Sequence, residues 1–154
     1  MKIALSILLT FATLEAFTQS DFTGKWKLNG EKSTFNETPG TPAAARLIVE
    51  QDAGTITFQR NDRPKEKIKI DSPTALEIIE GENKTTVSMK TGMDKKELIE
   101  TRTYISPETE TADVAAKKTR TWRLSSDKKT LIIHDHIETT NGKIFDMTLV
   151  YARQ

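Results

Sequence analysis

The 154 residues carry 23 Lys and Arg against 22 Asp and Glu, a formal net charge of +1, and no cysteine. Near-neutrality argues against the strongly basic face that nucleic-acid binding needs and gives no basis for a strong electrostatic membrane contact. Without thiols there are no disulfide staples and no lipid anchor on an N-terminal cysteine, so an exported chain of this size must be held by its core.

Lys2 precedes an apolar stretch of residues 3–14 (IALSILLTFATL), which gives way to small and polar residues. That is the pattern of a secretory signal peptide, too short to span a bilayer. The expected division is a signal peptide at 1–20 and one domain at 21–154, with the mature start near Gln19 or Asp21. No second apolar stretch is long enough to cross a membrane, so the product is expected to be soluble, secreted or periplasmic. Phe22, Gly24, Trp26 and Leu28 share one parity and Lys25 and Lys27 the other, which predicts a half-buried strand. Residues 29–35 break the alternation and read as a turn with one short helical turn. Residues 36–45, with Pro39, Gly40 and Pro42, read as a loop.

Alternation then returns in short runs around Leu47 and Val49, Ile56 and Phe58, Ile68 and Ile70, Leu76 and Ile78, and Val87 and Met89. Turn signals at 52–54, 62–64, 71–73 and 81–84 separate them. Residues 91–94 (TGMD) read as a turn into a long strand over 97–105, and 107–116 as the one long irregular connection. Three strands, 118–124, 131–137 and 143–151, finish the chain. Sequential strands joined by tight turns are antiparallel neighbours. A meander this long exposes two edges unless it curls and closes. The expected fold class is therefore all-β, a single antiparallel up-and-down β-barrel of about 9–10 strands, with a two-sheet sandwich as the alternative. Matching apolar faces sets registers: Leu124 opposite Leu131, Trp122 opposite Ile133 and Arg120 opposite Asp135. A three-residue tip at 140–142 sets Ile133 beside Leu149 and Ile137 beside Phe145.

The opening Phe22, Gly24, Trp26, Leu28 pattern resembles the first strand of calycins, the lipocalin and fatty-acid-binding superfamily. Residues 24–29 (GKWKLN), Lys32-Ser33 with Phe35, Trp122 with Leu124, residues 127–131, and the closing Leu149, Tyr151 and Arg153 are similar to secreted bacterial proteins described as lipocalin-like and of unknown function. The resemblance implies an antiparallel barrel with the first-strand Trp packed across its floor and an internal pocket for a small apolar ligand. About fifteen residues between the first two strands are too few for the two-helix lid of the fatty-acid-binding branch.

The interior is expected to be lined by branched aliphatics, including Val49, Ile56, Phe58, Ile68, Ile78, Val87, Ile133 and Leu149, which either pack solid or leave room for one ligand. Several polar residues run in phase with this face: Arg102 with Tyr104, Arg120 two before Trp122, Asp135 between Ile133 and Ile137, and Arg153 two after Tyr151. Buried charges need partners. Either Arg120 and Asp135 form a structural pair, part-solvated near a barrel mouth, or the guanidinium groups grip a ligand carboxylate. The candidate ligand-binding residues are Trp26, Arg102, Tyr104, Arg120, Trp122, Asp135, Tyr151 and Arg153. His134 and His136 sit two apart on one strand with Asp146 opposite, on the polar outer face. Two histidines fall short of the three or four ligands zinc takes, so no metal and no cofactor are expected. No nucleophile elbow, phosphate loop or zinc-protease motif is present, and an enzyme ranks last. The expected function is an exported barrel, expected as a monomer, that binds a small hydrophobic or amphipathic, lipid-like ligand. The alternative is an envelope or extracellular interaction or inhibitor module that works through its outer face and the loops at 36–45 and 107–116.

Overall fold

The computed structural model describes residues 20–35, 43–71, 74–80, 83–94, 96–105 and 115–154, with the side chains of 74–80, 83–87, 104–105 and 115–116 outside that description. The expected signal peptide and most of the two long loops lie outside the described residues. Ten strands follow in chain order: β1 Gly24–Leu28, β2 Arg46–Asp52, β3 Thr55–Arg60, β4 Glu66–Lys69, β5 Thr74–Glu80, β6 Asn83–Asp94, β7 Glu97–Ile105, β8 Ala115–Leu124, β9 Thr130–Thr139 and β10 Ile144–Arg153. They form one antiparallel up-and-down sheet in the order β4-β3-β2-β1-β10-β9-β8-β7-β6-β5, nearly closed into a barrel. A single 3₁₀ turn, Gly30–Lys32, is capped by the Asn29 side chain, which accepts from the Lys32 amide.

The first and last strands close the cylinder, with Trp26 opposite Arg153, Lys27 opposite Ala152 and Leu28 opposite Tyr151. Gly24 is explained by this pairing. A Cβ there would stand 2.9 Å from Arg153 Nη1, whose guanidinium lies over the Trp26 ring at 4.4 Å. The glycine thus leaves room for the cation on the indole. After the 3₁₀ turn the chain stays on β10: the Thr34 amide donates to Thr148 O at 2.8 Å and the Val150 amide to Ser33 Oγ at 3.0 Å.

The last three strands take the expected registers. Leu124 faces Leu131, Trp122 faces Ile133, Arg120 faces Asp135, Ile133 faces Leu149 and Ile137 faces Phe145. Two features depart from expectation. The turn read at 91–94 is strand: β6 runs through Thr91, Gly92 and Met93 to Asp94, with Gly92 extended opposite Ile99. The glycine serves a close approach instead, since a Cβ on it would meet Asp71 Oδ1 at 3.2 Å. The second departure is the place of the sheet's free edges. They belong to β4 and β5, which are consecutive in the chain yet unpaired with one another among the described residues. Between them the Ile70 amide donates to Gly54 O at 2.8 Å, and the Asp71 amide to Thr91 O at 2.7 Å. Asp71 takes φ 58, the left-handed conformation that Asp tolerates better than most residues. The chain thus steps from the β3 side of the seam to β6 and straps it.

Inside, Phe22, Trp26, Leu47, Val49, Ile56, Phe58, Ile68, Leu98, Trp122, Leu131, Ile133 and Leu149 are buried in one core, while Lys25 and Lys27 face out. Of the aliphatics expected to line the interior, only Ile78 and Val87 have side chains outside the description.

Candidate functional site

Three rows of cross-strand neighbours run round the inner face of β6 to β10, two residues apart along each strand. The first is apolar: Met93, Leu98, Trp122, Ile133, Leu149. The second is mostly polar: Thr91, Glu100, Arg120, Asp135, then Met147. The third reads Met89, Arg102, Lys118, Ile137, Phe145. Polar side chains in phase with core residues are carried inward by the pleat, because alternate side chains share a face. Glu100 is 2% exposed and Asp135 0%.

Arg120 binds Asp135 as a fork. Its Nε donates to Oδ1 at 2.6 Å and its Nη2 to Oδ2 at 2.7 Å. Lys118 Nζ lies 2.9 Å from the same Oδ2. The pair forms as one of the two sequence readings has it, but at mid-strand and not at a strand end, with Asp135 fully buried and Arg120 partly exposed. Burial opposes charge on Asp135, but the hydrogen bond and charge of Arg120, with Lys118 behind them, win and hold its carboxyl below the ordinary range. Burial likewise pulls Arg120 down, and the bond and charge of Asp135, helped by Glu100, outweigh it and raise the guanidinium. Lys118 is pushed down by burial and then by Arg120, despite Asp135.

A second group joins this one. Arg102 Nε donates to Glu100 Oε1 at 2.6 Å, and Arg102 Nη2 lies 4.0 Å from Glu66 Oε2 on β4. Glu66 also pairs with Arg60 of β3, whose guanidinium lies 4.5 Å over the Phe58 ring. Burial, then the charge of Arg120, lowers the Arg60 pKa. Four cations, Arg60, Arg102, Lys118 and Arg120, thus share three carboxylates, Glu66, Glu100 and Asp135.

Of the residues singled out in the sequence, the structure brings together Arg102, Arg120 and Asp135. Trp122 stands in the neighbouring apolar row, with its ring 6.1 Å from Phe22 and 6.0 Å from Phe58. Tyr151 donates its hydroxyl to Ala44 O at 3.0 Å, and burial raises its pKa. Its visible role is to pin the segment before β2. Trp26 and Arg153 form a separate cluster: Trp26 Nε1 donates to Phe22 O at 3.1 Å, and Arg153 donates to the backbone oxygens of Thr23 and Lys128. Tyr104 is placed by its backbone opposite Val87, with its side chain outside the description. Sequence reasoning missed Arg60, Glu66, Glu100 and Lys118. The signal was present, since each is in phase with a buried neighbour: Phe58, Ile68, Leu98 and Trp122 respectively.

On the outer face, His136 Nδ1 lies 2.8 Å and His134 Nε2 3.5 Å from Asp146 Oδ1. Among the described residues no group of three or more His, Cys, Asp or Glu is arranged to hold a metal ion, and no helix is long and apolar enough to cross a membrane. No protein-family model matches the chain, and no curated protein matches it. The architecture itself, a nearly closed antiparallel barrel, is compatible with a lipocalin-like fold and with ligand binding.

Proposed function

We propose that this chain is an exported, lipocalin-like barrel that holds a small amphipathic molecule, its apolar body among the core aliphatics and its anionic head at the inner cations. One observation carries the reading: among the described side chains, four cations and three carboxylates stand in or at the edge of a mostly apolar interior, one positive charge more than negative. A buried charge is costly without a partner, and a bound carboxylate supplies one. Arg102, Lys118 and Arg120 are the head-group side of this reading, with Arg60 facing them. Trp122 borders the apolar side, and Arg153 on Trp26 caps the barrel at β1. Each methylene buried adds about 0.8 kcal/mol, so a medium chain suffices for affinity.

Export is part of the same proposal. Ser20 O accepts from Gln51 Nε2 at 2.9 Å and Ser20 Oγ donates to Lys96 O at 2.8 Å. A mature start at Gln19 keeps both contacts and a start at Asp21 loses them, which favours the former.

Native mass spectrometry of protein purified from its own host tests the binding. An adduct with the mass of an acidic lipid, removed by organic extraction and restored by adding dodecanoate, is expected. Bare protein both before and after that addition contradicts it.

A further inference from the structure

Two polar side chains beside the ion cluster are buried and, among the described residues, have no hydrogen-bond partner: Thr91 Oγ1 and Trp122 Nε1. Buried polar groups are almost always paired, and each exception asks for an explanation. Both residues border Glu100. Thr91 faces it directly across β6 and β7, and Trp122 is its diagonal neighbour, two residues along from Arg120 on β8. Diagonal neighbours on one face remain within reach of aromatic side chains. The wall between the apolar row and the cationic row therefore offers an indole donor, a hydroxyl that donates or accepts, and a carboxylate acceptor.

We infer that this patch is a second subsite, built for an uncharged hydroxyl on the body of the same ligand. The inference rests on the head-group reading above and specifies the ligand further. An anionic group is excluded by Glu100. A carbonyl accepts from Trp122 but has nothing to give to the carboxylate. A hydroxyl accepts from Trp122 and donates to Glu100 or Thr91, and it satisfies groups that an alkyl chain leaves stranded. The patch lies between the Trp122 row and the Arg102–Lys118 row, and two residues of strand span roughly 7 Å. The hydroxyl therefore falls about five or six carbons along the chain from a head held at Arg102 and Lys118.

The test is calorimetric titration of the full protein with 6-hydroxyoctadecanoate and with octadecanoate, repeated on T91V and on W122F. The hydroxy acid is expected to bind about tenfold more tightly to the wild type, as one or two buried hydrogen bonds give. In both variants the preference is expected to fall towards unity. T91V is nearly isosteric, so it keeps the test available if W122F disturbs the core. Equal affinity of the two acids for the wild type overturns the subsite and leaves the head-group reading standing. A preference that survives T91V, and W122F where that variant folds, overturns the assignment to this patch. Binding of neither acid overturns both readings.

Discussion

Asp135 is fully buried yet ionised, and the reason is local: a two-pronged guanidinium on one side and an ammonium on the other. Asp135→Ala strands both cations inside the barrel and is expected to cost about 3–5 kcal/mol in urea unfolding. Replacing Asp135 and Arg120 together by apolar residues of similar size is expected to recover most of that loss, because the pair repays little beyond its own desolvation. A single-variant shift too small to resolve would contradict the buried pair. The pH dependence has a definite sign. The folded carboxyl lies below its ordinary value of 3.8, so its stabilisation is complete above that value and is lost as pH falls through the folded one. The advantage of wild type over Asp135→Asn should therefore hold steady down to about pH 5 and shrink below it. An advantage that grows on acidification would refute the assignment. Arg120 and Asp135 were legible in the sequence because a short hairpin with apolar residues on one face fixes its own register. Glu100 obeys the same parity but lies on a strand whose partner was not yet assigned, whereas Lys118 lies on the assigned hairpin opposite Ile137, a partner that offers it no charge.

At the scale of the strand, the two ends of the chain explain each other. Gly24 and Trp26 in β1 meet Arg153 in β10, so the Gly-x-Trp opening and the closing Arg are one device for shutting the cylinder. The alternation of both strands was readable, but their pairing was not, because no short turn links the first strand to the last. The seam between β4 and β5 was hidden for the opposite reason: nearness in sequence suggests a hairpin, whereas Asp71 carries the chain across to Thr91. Gly92 makes the room for that crossing. Gly92→Val is expected to loosen hydrogen-exchange protection at the Asp71 and Ile70 amides, at a cost of roughly 1–3 kcal/mol for overpacking. The Asn29 and Thr34 amides, which bond to β10, should keep their protection. An equal loss at both places would contradict the strap.

For the whole molecule, composition recorded a charge near zero, and the fold then sorts that charge unevenly, with four cations against three carboxylates on the inner face among the described side chains. Such sorting is invisible to a net count and follows from pleat and register alone. In the proposed reading, that surplus makes the anionic head group the feature on which binding turns. It is tested most directly by titrating the protein with dodecanoate and with its methyl ester, which share the apolar body and differ in charge. A charge-assisted hydrogen bond is worth roughly 1.5–3 kcal/mol, so the acid should bind about ten- to a hundredfold more tightly than the ester. That preference should disappear when Arg102 and Lys118 are both changed to Met. Equal affinity for acid and ester in the wild-type protein would contradict the account.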